Sequence, residues 1–130
     1  STAGKYRRIQ VYVTGEEVLP PPAKDVPMLM KEFWVWFESN RKADPVLFAA
    51  QAHYRFVKIH PFTDGNGRIA RVFSNLILMR VGYPLVIIPV VVRLNYLSAL
   101  HSTKKEKDFI EFFREITFEN MKDYLRMIRK

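Results

Sequence analysis

The 130-residue chain contains no cysteine, which excludes a disulfide framework, a thiolate zinc site and a cysteine nucleophile. It also lacks any run of apolar residues long enough to predict a membrane span. The N-terminal segment is polar and basic, without the apolar stretch of a signal peptide. With 48% hydrophobic and 26% charged residues, the composition is typical of a folded domain. We therefore expect one soluble, cytoplasmic domain with a single core.

Acidic residues are in the minority, with 13 Asp and Glu against 21 Lys and Arg, so the formal net charge is +8. This excess favours a polyanionic partner such as nucleic acid, an acidic protein surface or nucleotide phosphates. A nucleic-acid-binding module would gather its basic residues on one helix face, whereas here they are scattered along the chain. Charge alone does not choose among these partners.

Four segments carry the apolar periodicity of helices, and we therefore predict a mainly α domain. They are residues 26–38, 45–59, 67–81 and 108–129. The second of them is apolar around most of its circumference, which places it at the centre of the domain. Asp25 and Asp44 each stand just before a proline-containing first turn and are candidate N-caps.

Two further segments have weaker patterns. Residues 6–19 alternate apolar and polar side chains up to a turn around Gly15, which predicts a small β-hairpin. Residues 85–92 are rich in β-branched side chains and are interrupted by Pro89. That second pattern fits a buried strand or the start of another helix equally well.

The loop between the second and third predicted helices has the composition of an anion site. Residues 60–71 read His-Pro-Phe-Thr-Asp-Gly-Asn-Gly-Arg-Ile-Ala-Arg. Gly65 and Gly67 allow close approach of the backbone to a ligand. The N–H groups at residues 66–68 would then be the unpaired donors of a helix N-terminus, which bind anions.

Charged side chains in the same loop suggest a nucleotide as that anion. Arg68 and Arg71 share one helix face and could both reach an extended polyphosphate. Asp64 is a single carboxylate beside the phosphate site, as Mg²⁺ commonly requires. A histidine side chain is the usual general base at neutral pH, which makes His60 a candidate for that role. The alternative is a glycine-rich turn between helices whose charges are merely solvated.

These twelve residues resemble the signature of the Fic family, His-Pro-Phe-x-(Asp/Glu)-Gly-Asn-Gly-Arg-x-x-Arg, and match it at every fixed position. The resemblance extends to residues 4–7, 49–54 and 75–84 and so covers most of the chain to about residue 100. It implies a Fic-type helical bundle with a β-hairpin flap beside the active-site loop. It also implies transfer of AMP from ATP to a Ser, Thr or Tyr hydroxyl of a target protein, with Mg²⁺ as cofactor.

The resemblance assigns roles to the loop residues. His60 would be the general base, and Asp64 would hold Mg²⁺. The residues expected to bind ATP through its phosphates are Thr63, Asp64, Gly65, Asn66, Gly67, Arg68 and Arg71. Within this set, Arg68 would contact the β-phosphate and Arg71 the γ-phosphate.

Outside the loop the resemblance gives less specific expectations. Asn75 and Tyr96 are candidates for the adenine pocket, although a structural amide and a packed core ring are the respective alternatives. The tip of the flap, which would dock the target protein, is expected at Gly15, Glu16, Glu17 and Val18. We interpret His53, on the central helix, as a core histidine.

Relatives within the family define the remaining alternatives and partners. Some reverse the modification or transfer another phosphate-containing group. Many carry an inhibitory helix with the pattern (Ser/Thr)-x-x-x-Glu-(Gly/Asn), which does not occur here. We therefore expect this chain to be a fragment of a longer one, with an inhibitory segment before residue 1 or on an antitoxin-like partner. A homo-oligomer is left open.

Overall fold

The computed structural model describes residues 1–13, 15, 18–101 and 105–129. Its α-helices are α1 (Val26–Ser39), α2 (Pro45–Ile59), α3 (Asn66–Met79), α4 (Arg93–His101) and α5 (Glu106–Ile128). Two short 3₁₀ turns, Ala23–Asp25 and Val90–Val92, precede α1 and α4. The prediction of a mainly α domain is confirmed. None of the helices in the described part of the chain is both long enough and apolar enough to cross a bilayer.

Helix α2 lies at the centre of the bundle and packs against α1, α3 and α5. Its three alanines at positions 49, 50 and 52 are fully buried, and their small side chains let neighbouring helices approach closely. Phe56 is also buried and contacts the rings of Phe33 on α1 and Phe73 on α3. The central position predicted from the all-round apolar pattern is thus confirmed. This packing fixes both ends of α2, including the end from which the candidate site begins.

The two predicted N-caps behave differently. The Asp44 side chain accepts a 2.9 Å hydrogen bond from the backbone N–H of Leu47 and caps α2. Asp25 makes no such bond, because Ala23–Asp25 form a 3₁₀ turn continuous with α1. Its backbone is already helical and lacks the extended conformation that a capping side chain needs. The prediction for Asp25 is therefore wrong.

The β-hairpin predicted over residues 6–19 is not present in the described residues of that range. The returning arm leads into Pro20–Pro22, whose missing N–H groups cannot support a ladder. Side chains bridge the arms instead: Gln10 Nε2 donates to the Pro20 carbonyl at 3.0 Å, and Arg7 Nη2 donates to Pro21 at 2.6 Å. Glu16 and Glu17, predicted at the flap tip, lie outside the described residues.

Residues 85–89 form neither a strand nor a helix but an irregular segment held by two asparagines. The Asn75 side chain donates to the Val86 carbonyl at 3.1 Å and accepts from the Val86 N–H at 2.7 Å. Asn120, on α5, pairs in the same way with Ile87, at 2.9 and 3.0 Å. These paired bonds replace the ladder of a strand, so the segment runs into α4 along a fixed path.

Candidate active site

A cavity of about 490 Å³ opens where the end of α2, the motif loop (residues 60–65), the start of α3 and α4 meet. All eight loop and helix residues predicted to act on ATP line it: His60, Thr63, Asp64, Gly65, Asn66, Gly67, Arg68 and Arg71. Three arginines line the cavity, at positions 68, 71 and 93, against one carboxylate, Asp64, among the described lining residues. Their summed charge makes the cavity attractive to a polyanion.

His60 occupies the end of α2 in a left-handed backbone conformation, with φ of 52°. Pro61 follows it and prevents α2 from continuing. The left-handed conformation costs a non-glycine residue about 1–2 kcal/mol, so it has to be held by surrounding contacts. Those contacts turn the chain sharply and bring the imidazole to the cavity wall.

Arg7 supplies the contacts that hold this turn. Its Nε donates to the His60 carbonyl at 2.6 Å, and its Nη2 donates to the Ile59 carbonyl at 3.3 Å. The backbone N–H of Arg7 also donates to the Pro61 carbonyl at 2.8 Å. Arg7 is only 3% exposed, and burial lowers the pKa of its guanidinium. A cation at the carbonyl end of α2 also complements the helix dipole.

The motif loop is closed internally by Asn66. Its Nδ2 donates to the Phe62 carbonyl at 2.8 Å, and its Oδ1 accepts from the Phe62 N–H at 3.0 Å. The Asn66 side chain, predicted to bind phosphate, is thus committed to the loop backbone. The group available to an anion is the first turn of α3. Because the helix begins at Asn66, the backbone N–H groups of Asn66, Gly67 and Arg68 have no acceptor within the helix.

The two glycines of the loop serve different needs. Gly65 precedes α3 with φ of 81°, a conformation that strains other residues. Gly67 lies against two functional side chains: a Cβ built there would stand 3.5 Å from Arg71 Nη1 and 4.0 Å from the Tyr96 hydroxyl. Both side chains therefore lie beside the first turn of α3.

Asp64 and Arg68 form an exposed pair at the mouth of the cavity. Their closest N and O atoms are 3.6 Å apart, and their side chains are 92% and 73% exposed. Asp64 Oδ1 also accepts the Gly65 N–H at 2.8 Å. An ion pair this exposed contributes little stability, so a bound nucleotide or cation can replace it readily.

The described residues contain no cluster of three or more metal-ligating side chains. Mg²⁺ needs no such cluster, because it commonly takes one or two carboxylates and completes its shell with phosphate oxygens and water. Asp64, exposed beside an anion site, fits that requirement.

Beneath the cavity floor lies a buried polar group of three side chains. His53 Nδ1 is 2.9 Å from the Ser74 Oγ, and His53 Nε2 is 2.8 Å from the Tyr96 hydroxyl. Burial, and secondarily the charge of Arg71, lower the pKa of His53 to about 3. Burial raises the pKa of Tyr96, against the opposing effect of Arg71 and Arg93. The interpretation of His53 as a core histidine is therefore correct.

The structure separates the two candidates for the adenine pocket. Tyr96 lines the cavity, although it is also a buried ring that contacts Phe109 and Phe112. Asn75 does not line it, since its amide is used by Val86. The Asn75 amide is thus structural, but it holds Val86 and not the motif loop that the alternative expected it to cap. The flap residues Gly15 and Val18 are exposed and do not line the cavity either, whereas Val13 does.

Several lining residues carried no recognisable signal in the sequence. They are Val13, Val57, Ile88, Pro89, Val90, Arg93, Leu97 and Leu100. Apart from Val57, which lies one turn before His60, they come from segments distant in sequence that the fold brings to the motif loop. Arg93 is the charged residue among them, and it stands at the start of a helix without apolar periodicity, so no motif marks it.

Comparison with known proteins agrees with this geometry. A sequence model of the Fic/DOC family matches residues 1–78. The chain therefore belongs to the Fic/DOC family, and the resemblance read from the sequence is confirmed.

Individual relatives match over nearly the whole chain. A protein adenylyltransferase Fic from Drosophila grimshawi is 42% identical over 126 residues, which are 94% of this chain and 26% of that protein. The structure of Fic-1 (residues 134–508) from C. elegans superposes with a TM-score of 0.86 at 36% identity, over 98% of this chain and 38% of that one. A Fic family protein from Desulfovibrio desulfuricans G20 gives 0.82 at 30% identity, over 98% and 42%. The chain thus spans about a quarter of the length of the curated relatives it matches.

Proposed function

We propose that this chain transfers AMP from Mg·ATP to a hydroxyl side chain of a target protein and releases pyrophosphate. The observation that carries the proposal is the convergence of His60, the first turn of α3 and three arginines on one cavity. Relatives that match over 94% of the chain are named protein adenylyltransferase, which supports the same activity.

His60 acts as the general base in this proposal. The target oxygen attacks the α-phosphorus, the bond from that phosphorus to the pyrophosphate oxygen breaks, and the hydroxyl proton passes to the imidazole. A base is effective only when it is held in position, and the bonds from Arg7 to the carbonyls of Ile59 and His60 hold this one.

The phosphates are bound by the start of α3. Its free N–H groups and dipole stabilise charge near the α-phosphate, as expected for transfer reactions in which positioning and neutralisation dominate. Arg68 and Arg71 extend along the β- and γ-phosphates. Mg²⁺, held by Asp64 and the phosphate oxygens, would further neutralise the charge that builds up on the leaving group.

The rest of the cavity can accommodate the nucleoside and the target. The apolar wall formed by Ile88, Pro89 and Leu97 suits the faces of an adenine ring, with Tyr96 at its inner edge. Val13, on the arm before the flap tip, lies at the mouth of the cavity. We place the target segment along this arm, where it would pair with backbone groups between residues 9 and 19.

Control and location stay predictions. The pattern of the inhibitory helix is absent from these 130 residues. An additional segment of a longer chain, or a separate partner, would supply it and compete with the γ-phosphate for Arg71. A cytoplasmic location likewise stays a prediction.

The activity can be tested by incubating a cell lysate with the protein and Mg·ATP and identifying AMP-modified peptides by mass spectrometry. The His60→Ala variant should yield no modified peptides, whereas Arg80→Ala, an exposed position at the end of α3 outside the cavity, should match the wild type. Modified peptides at equal levels with His60→Ala would contradict the role of His60. An absence of AMP adducts with the wild type, while the protein binds ATP, would contradict AMP transfer.

A further inference from the structure

The buried side chains Ser74, His53 and Tyr96 form a continuous chain of hydrogen bonds that ends at the Tyr96 hydroxyl, beside Arg71. The Ser74 Oγ is 2.9 Å from the Ala70 carbonyl and 2.9 Å from His53 Nδ1. His53 Nε2 is 2.8 Å from the Tyr96 hydroxyl, and that hydroxyl and Arg71 Nη1 both lie beside Gly67, at the first turn of α3. Ser74 is 2% exposed, His53 0% and Tyr96 5%, so water does not compete with these bonds.

The direction of every bond in this chain follows from its inner end. A carbonyl can only accept, so the single hydroxyl proton of Ser74 must go to Ala70 if that bond is to form. The contact between Ser74 and His53 is then an N–H donated by Nδ1. A neutral imidazole carries one proton, which leaves Nε2 bare to accept the hydroxyl proton of Tyr96. The phenol oxygen therefore presents only lone pairs to the cavity, on the side where the Arg71 guanidinium lies.

We infer that Tyr96 and His53 are positioning residues for Arg71: they hold one N–H of its guanidinium on the phenol oxygen, so that the remaining donors face the site of the terminal phosphate. This inference rests on the proposed function, because it assumes that Arg71 binds phosphate. A phenol suits the task because it is neutral. It fixes the guanidinium without cancelling the positive charge, which a carboxylate would do.

Gly67 supports the same geometry from the other side. Arg71 Nη1 and the Tyr96 hydroxyl both lie within 4.0 Å of the position where a Cβ would stand on Gly67. The guanidinium and the phenol thus both lie beside the first turn of α3, next to the phosphates that this turn would bind.

The tautomer of His53 provides the first test, because it can be measured without an activity assay. Nitrogen-15 NMR of the imidazole should show a proton on Nδ1 and none on Nε2 at neutral pH. A ring protonated on Nε2 would reverse the direction of the chain and overturn the inference.

The second test compares Mg·ATP with AMP, which lacks the terminal phosphates, in calorimetric titrations. Losing one hydrogen bond to a charged group costs about 1.5–3 kcal/mol, so Tyr96→Phe should weaken ATP binding roughly 10- to 150-fold. AMP binding should stay within about twofold. Arg71→Ala should also weaken ATP binding selectively, and Tyr96→Phe should add little to Arg71→Ala, because both remove the same interaction. Tyr83→Phe, a half-buried tyrosine outside the cavity, is the matched control.

If Tyr96→Phe folds poorly, variants at His53 and Ser74 test the same hydrogen-bond chain through the ATP-to-AMP affinity ratio. His53→Gln retains an acceptor for Tyr96 and a donor for Ser74, and should preserve the ATP-to-AMP affinity ratio, whereas His53→Leu should lower it. Ser74→Ala, which does not line the cavity, should lower the ratio as well. A ratio reduced by Arg71→Ala but unchanged by Tyr96→Phe, His53→Leu and Ser74→Ala would overturn the positioning roles alone. A ratio unchanged by Arg71→Ala would instead refute the phosphate-binding role in the proposed function, and this inference with it.

Discussion

Arg7 shows how a single buried cation connects the N-terminal arm to the candidate base. Its guanidinium donates to the adjacent carbonyls of Ile59 and His60 at the end of α2, to Ile9 in the predicted flap and to Pro21 just after it. In the structure, these side-chain hydrogen bonds of Arg7 join the segments that a β-ladder was predicted to join. A residue with five donors in a planar fork can satisfy several carbonyls at once, which a lysine cannot.

Replacing Arg7 with methionine should therefore destabilise the protein and displace His60. Methionine fills similar volume but leaves buried carbonyls without donors, at a cost of about 2 kcal/mol or more. The free energy of unfolding in urea measures this cost. Arg8→Met, an exposed neighbour, should change that free energy by less than about 0.5 kcal/mol. An equal effect of the two substitutions would mean that the buried fork does not stabilise the turn at His60.

Substitution by alanine should have different effects at Gly65 and Gly67, because only Gly65 has a positive φ. Gly65→Ala places a side chain at φ of 81° and should cost about 1 kcal/mol of stability. Gly67→Ala has ordinary contact distances and should fold normally. Its methyl group would nevertheless occupy space beside Arg71 and Tyr96, so Mg·ATP affinity should fall by more than stability does. Thermal melts and calorimetric titrations of both variants measure these effects, and unchanged ATP affinity for Gly67→Ala would argue against a phosphate site there.

Among the elements, the segment between α3 and α4 depends most on contacts distant in sequence. Asn75 and Asn120 each pair with the backbone of one residue, so the wall that continues through Ile88 to Val90 has a defined position without belonging to a sheet. Neither asparagine lines the cavity. Their effect on a ligand is therefore indirect, through the wall.

Asn120→Ala should loosen this wall. It should therefore weaken the contacts of the nucleotide's adenine ring and leave the contacts of its phosphates unchanged. ATP and AMP affinities should then fall by the same factor, in contrast to the selective loss expected for Tyr96→Phe. Calorimetric titration with both nucleotides measures it, with Asn95→Ala, an exposed amide on α4, as control. A loss confined to ATP would contradict the assignment of the wall to adenine.

The elements also show where local sequence is sufficient for prediction. Helices α1, α2, α3 and α5 follow apolar periodicity that their sequences carry. Helix α4 spreads its apolar side chains around its axis, so no stripe marks it, and tertiary contacts such as its packing against α5 stabilise it. The candidate site likewise has one part that local sequence predicts and another that depends on tertiary contacts. Its phosphate-binding part is one contiguous motif, whereas Arg7, the wall at Ile88 and the support from His53 are joined to it by tertiary contacts that no local pattern reveals.

At the scale of the whole molecule, the buried histidine makes stability depend on pH. Folded His53 stays neutral down to about pH 3, whereas the unfolded chain takes up a proton near pH 6.5. Between these values the unfolded state binds more protons, so the free energy of unfolding should fall as the pH is lowered from 6.5. The slope attributable to His53 should reach at most about 1.4 kcal/mol per pH unit.

Urea unfolding of the wild type and His53→Gln between pH 7 and pH 4 measures this contribution. The variant lacks the titrating group, and its stability should decline less steeply over that range. Other groups titrate equally in both proteins and cancel in the comparison. Parallel curves would show that His53 does not set the acid stability of the fold.

The central claim is that the cavity around His60 transfers AMP from ATP to a protein, and the position of the transferred phosphorus tests it most directly. Two reactions are run with a lysate, one containing ATP labelled at the α-phosphate and the other ATP labelled at the γ-phosphate. Label should enter protein only from the α-position, and His60→Ala should abolish incorporation while binding Mg·ATP with near-wild-type affinity. Incorporation from the γ-position, or undiminished α-label with His60→Ala, would contradict the claim.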